Sequence, residues 1–149
     1  YATGAMRTLN GAHKAQMGWA SGARLVDGSQ GGTFTVSALG LAAAGSPQVV
    51  RVRPNTGDPY YLSFRTGTGY DAATPSSSLN CLNVHRWSGS GNTRYTTALG
   101  SGQSFTDAVS GITIQQIAST TDSATFNVST TCVAQSPTAT TSFGAGVAS

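Results

Sequence analysis

From Tyr60 to Arg65 the chain alternates Tyr60, Leu62 and Phe64 with Tyr61, Ser63 and Arg65, the period-two pattern of a half-buried strand. After a polar stretch over 72–78, Leu82 and Val84 alternate with Asn83 and His85 in the same way. Two such runs, each with an aromatic or aliphatic face, predict neighbouring strands in the middle of a sheet. Weaker versions of the pattern surround them: Phe34, Val36 and Ala38 within 33–39, Val50 and Val52 within 48–53, and Ala124, Phe126 and Val128 within 124–128. The run 112–117 and the shorter segments 94–99 and 104–107 add further candidates. Turn signals separate these runs at Asp27-Gly28, Pro54 to Asp58, Ser88 to Asn92 and Thr121 to Ser123. Strands at about ten-residue spacing predict an all-β fold, an antiparallel β-sandwich.

One helix is expected, over about 10–19, with Asn10 as its N-cap, Met17 one turn beyond His13, and Gly18 stopping it early. Three stretches follow from the patterning. Residues 1–20 form a segment carrying the helix, 21–130 carry the sandwich, and 131–149 are a Thr/Ser/Gly/Ala-rich tail or linker. The tail contains one aromatic residue, Phe143, and is too poor in apolar side chains to offset its ordering entropy. Its alternative is a terminal strand that pairs with this molecule or a neighbouring one.

Composition changes this picture in one respect. Among 149 residues there are five acids, all Asp, no Glu, one lysine and seven arginines scattered from Arg7 to Arg94. A net charge of +3 without a basic stripe argues against a nucleic-acid partner. Arg51 and Arg53 read as solvated residues flanking a buried Val52. No apolar run approaches the ~20 residues of a membrane span. Low charge, abundant Ser, Thr and Gly, and no initiator methionine or signal segment suit a secreted, mature or excised piece. In that setting Cys81 and Cys132, 51 residues apart, are expected to form a disulfide worth roughly 4 kcal/mol in the chain-entropy model.

Candidate chemistry is sparse. A catalytic zinc site asks for about three ligands, and the chain has His13 and His85 on different elements, no HExxH and no CxxC. No GxSxG elbow accompanies the many serines. His85 reads as a structural hydrogen-bonding residue on a sheet face. Calcium could sit at loop aspartates such as Asp58, Asp71 or Asp107, although no DxDxDG spacing occurs. Tyr61, Tyr70, Trp87 and Tyr95 could stack on sugars, or serve as packing residues.

Several blocks, in order, resemble secreted gametolysin-type zinc metallopeptidases. Leu9 to Trp19 (LNGAHKAQMGW) resembles the family's segment just downstream of its zinc motif. Tyr60 to Asp71 resembles its YYLEYRxPxGFD strand and loop, and Leu82 to Trp87 its GvlvHRw strand. Gly102 to Asp107 resembles GqsFtD, and Gly111 to Ile114 the following GitI. The resemblance spans about 7–129. It implies a region C-terminal to the zinc site, built as a β-sandwich, with Met6 near the Met-turn and the zinc held by a catalytic domain of the same precursor. It marks Trp19, Tyr61, Arg65, Asp71, His85, Arg86, Trp87, Phe105 and Asp107 as structural motif residues. Ser63 stands where the family has an acid. The function this implies is a non-catalytic sandwich that supports the catalytic domain or presents substrate. Two other classes remain open: an extracellular subunit that self-assembles through strand edges and its tail, and a glycan-binding module using Tyr61, Tyr70 or Trp87.

Overall fold

The computed structural model describes residues 8–41 and 46–131, and these build two sheets with a short helix on one of them. The first sheet joins β1 (Leu25–Asp27), β3 (Val49–Val52), β4 (Tyr60–Arg65), β5 (Cys81–Arg86) and β6 (Arg94–Leu99), in the order β1-β3-β4-β5-β6. The second joins β2 (Gly32–Ser37), β9 (Ser123–Thr130), β8 (Ile112–Ser119) and β7 (Ser104–Asp107), in the order β2-β9-β8-β7. Pairing within the sheets is antiparallel except between β1 and β3, which run parallel. The two strongest sequence patterns are indeed neighbours in mid-sheet, with Leu62 opposite Val84 and Tyr61 opposite His85.

The inward residues of both sheets form one core: Val50, Val52, Tyr60, Leu62, Phe64, Leu82 and Val84 meet Val36, Ile112, Ile114, Ala124, Phe126 and Val128. Polar bonds span the two layers as well. The buried Gln116 occupies an inward position of β8, and its Oε1 accepts from Leu82 N at 2.7 Å. Tyr60 donates its hydroxyl to Asp107 Oδ2 at 2.6 Å. The Asp27-Gly28 turn does not close a hairpin, since β1 and β2 belong to different sheets. It carries the chain between layers, and a Cβ on Gly28 would stand 2.6 Å from Val50 Cγ1. Arg51 and Arg53 both pair with Asp27, beside a fully buried Val52.

The helix α1 (Gly11–Gln16) is shorter than the expected 10–19. Asn10 caps it as anticipated, its side chain accepting from His13 N at 2.8 Å. Gly18 at φ 73° takes the left-handed conformation that ends helices, so Met17 and Trp19 fall outside it.

Met6 and Cys132 lie outside the described residues. Cys81 pairs with Arg65 at one end of the first sheet.

Candidate functional site

The outer face of the five-stranded sheet carries most of the distinctive chemistry of the described residues, because α1 and Thr8 to Asn10 lie across that face. Close approach depends on Gly11: a Cβ there would stand 2.8 Å from Ser63 Cβ and 3.2 Å from Val49 Cγ2. Small residues thus face each other at Gly11 and Ser63, the position where the gametolysin-type motif has an acid. Ala12 and Ala20 pack beside them with Leu39, Val49 and Tyr61. The cover corrects the half-buried reading of β4, all six of whose residues are buried.

Under this cover lies a polar row. Arg65 on β4 donates Nη1 to Asp71 Oδ1 at 2.9 Å and Nη2 to Thr8 O at 2.7 Å. Asp71, at the end of the single turn Gly69–Asp71, also accepts from Thr8 N at 3.1 Å. The ion pair is almost wholly desolvated, with side chains 9% and 1% exposed. Next along the face come Asn83 and His85 on β5, both buried, and then Tyr95 on β6, whose ring meets His85 edge-on at 5.5 Å. Asn83 Nδ2 donates to Ser78 O and Cys81 O. His85 Nδ1 is buried without a hydrogen-bond partner, rather than making the structural bond its position suggested.

Burial, then the positive charges of Arg65 and His13, push the His85 pKa down to about 4, so its imidazole is neutral at pH 7. Unfolded, the same ring protonates near 6.5. The unfolded chain therefore binds the extra proton first as pH falls, and the His85 contribution to stability is complete above 6.5 and lost towards 4. The expected loss is about 3 kcal/mol over that window, levelling off below it. Urea midpoints measured from pH 7 to 4 check this, and His85→Gln flattens the curve there. The carboxylates act at lower pH. Asp107, held down at about 2 by its bonds from Tyr60 and Ser110, gives stability that is present above the ordinary carboxylate range and disappears below it.

Two openings flank the Thr8–Leu9 segment. One is a cavity of about 320 Å³ whose lining includes Arg65, Asn83, His85 and Tyr95. The other is a largely apolar groove of about 490 Å³, lined by Leu9, Lys14, Trp19, Leu39 and Tyr70. Trp19 and Tyr70 are 58% and 63% exposed there. Lys14 crosses the groove to donate Nζ to Leu39 O at 2.6 Å, and burial lowers its pKa.

The remaining motif residues are spread through the fold. Arg86 lies over the Tyr60 ring at 4.6 Å and bonds Asp58 O. Trp87, partly buried, packs against the buried Tyr61, 5.9 Å between rings. Phe105 meets Tyr60 edge-on at 5.8 Å. Among the described residues no three His, Cys, Asp or Glu side chains gather where a metal could bind, and neither imidazole is hydrogen-bonded to a carboxylate. The loop aspartates proposed for calcium have protein partners: Asp58 with Arg94, Asp71 with Arg65, and Asp107 with Tyr60. No helix among the described residues is long and apolar enough to cross a membrane. Alternation does not reveal the groove as a whole; the apolar residues just past the helix stop, Met17 and Trp19, are 57% and 58% exposed, and Trp19 lines it.

No protein-family model, no curated protein and no solved structure matches this chain.

Proposed function

We propose that the chain is a non-catalytic β-sandwich from a secreted gametolysin-like zinc metallopeptidase, and that it supports the catalytic domain by holding it at the Trp19–Tyr70 groove. The observation that carries this reading is the exposure of Leu9, Trp19 and Tyr70 around one groove. Large aromatic residues set in an apolar depression are the usual anchors of a protein interface. The groove is walled by the LNGAHKAQMGW segment, which in the peptidases follows the zinc motif directly and so lies at the junction with the catalytic domain. The polar chemistry nearby supports a structural role: Asp71 is engaged by Arg65 and by Thr8, and the buried His85 Nδ1 bonds no carboxylate.

The test is calorimetric titration of the chain with the separately expressed, HExxH-bearing catalytic domain of a gametolysin-type peptidase. Binding is expected, and Trp19→Ala with Tyr70→Ala together should weaken it at least about tenfold while leaving the melting temperature of the chain unchanged. Absence of binding, or binding indifferent to both substitutions, would overturn the reading.

A further inference from the structure

One motif of the chain takes no part in the docking groove. Asn127-Val128-Ser129 is the single Asn-X-Ser/Thr triplet among the six asparagines of the chain. With X other than proline, such a triplet is the acceptor for N-linked glycosylation in a secreted protein. It can carry a sugar only where the fold leaves room on the amide.

The fold leaves that room. β9 alternates the buried Phe126 and Val128 with the partly exposed Thr125 and Asn127, so the Asn127 side chain stands on the outer face of the four-stranded sheet. Its cross-strand neighbours are Thr33 on β2 and Gln115 on β8, both exposed. Thr125 and Ser129 lie before and after it on the same face. All four are short or flexible and uncharged, so a sugar on Nδ2 displaces no packed side chain. Nδ2 donates to Thr33 Oγ1 at 3.3 Å, a solvent-exposed bond that water replaces at little cost. The Ser129 hydroxyl donates to Asn127 Oδ1 at 2.9 Å, so the amide and the hydroxyl of the triplet share one side of the strand. The Trp19–Tyr70 groove lies by the outer face of the other sheet, across the core.

We infer that Asn127 is a glycosylation site, carrying an N-linked oligosaccharide over the outer face of the four-stranded sheet and away from the docking groove. In the transfer, Asn127 Nδ2 attacks the anomeric carbon of an oligosaccharide carried on a polyprenyl diphosphate. The C–N bond forms as the C–O bond to the diphosphate breaks. The amide nitrogen gives up one proton, and the lipid diphosphate leaves with the bonding electrons. An oligosaccharyltransferase of the secretory route supplies the catalysis, so the inference rests on the secreted reading above. The product is a bulky, hydrated cover on a face where Thr33, Thr35 and Gln115 are exposed.

The experiment is secretion of the full chain from a eukaryotic host behind a cleaved leader, with intact mass measured before and after peptide N-glycosidase. The expected result is a mass above that of the sequence, which the enzyme removes while converting the Asn127 amide to an acid. Asn127→Gln and Ser129→Ala should each abolish the extra mass with the melting temperature unchanged, because both positions lie on the polar outer face. Ser129→Thr keeps the triplet and should keep the glycan. A chain secreted at the mass of its sequence overturns the inference, as does extra mass that survives Asn127→Gln. Docking is read separately, by titrating the glycosylated and Asn127→Gln chains with the catalytic domain. Equal affinities are expected from the opposite faces, a glycan that blocks binding overturns its placement, and loss of binding in both chains counts against the groove alone.

Discussion

Replacing Arg65 by methionine lowers the stability of the folded chain by about 4 kcal/mol, because it strands a charge that cannot reach water. Asp71 is 1% exposed, and its Oδ1 takes one bond from Arg65 and one from Thr8 N. The same substitution removes the donor to Thr8 O, releasing the segment that covers the outer face of the sheet. Methionine fills the volume of the arginine stem, so the loss is chiefly electrostatic rather than a cavity effect. Adding Asp71→Leu to Arg65→Met should recover most of the stability, as happens when buried ion pairs are replaced by apolar residues of similar size. Urea unfolding of the two single variants and the double variant forms a cycle that isolates the pair. A loss below about 1 kcal/mol in Arg65→Met would mean that the pair behaves as a solvated surface bridge.

Truncating Phe126 to alanine costs a similar amount, about 4 kcal/mol, by a different route. Phe126 is fully buried on β9, between β2 and β8, and its ring lies 6.0 Å from that of its cross-strand partner Phe34. It belongs to the one core built from both sheets, so its removal leaves a void between layers that neither sheet can close alone. Phe105, on the edge strand β7 and only partly buried, is the internal control, and Phe105→Ala should cost less than half as much. Equal losses at the two positions would contradict a sandwich packed through the centre of β9.

The contrast between these two effects shows how much of the molecule could be read from the chain. Alternation placed Phe126, Phe64 and Leu62 inward correctly, because one-sided burial leaves a period-two trace. It misread Tyr61, Ser63 and Arg65 as a wet face, because their cover comes from Thr8 to Ala20, far away in sequence. The residue that permits the cover, Gly11, looks like any helix-start glycine until a Cβ is placed against Ser63. Arg65 and Asp71 were visible as motif residues, but their pairing depends on the turn that brings Asp71 back under Thr8. Gln116 left a faint signal of its own as the polar member of the inward series Ile112, Ile114, Gln116, and its amide does join the two sheets. Aromatic residues were the hardest to assign. Tyr61 and Trp87 pack together, while Trp19, Tyr70 and Tyr95 face solvent, and nothing in local spacing distinguishes the two groups.

A support module for a metallopeptidase must come from a precursor that carries the catalytic zinc motif. Peptide mass spectrometry of the native source material, searching for peptides continuous with Tyr1 on its amino-terminal side, tests this most directly. The account predicts upstream peptides that include an HExxH segment. A native amino terminus at Tyr1 with no metallopeptidase co-purifying would contradict it.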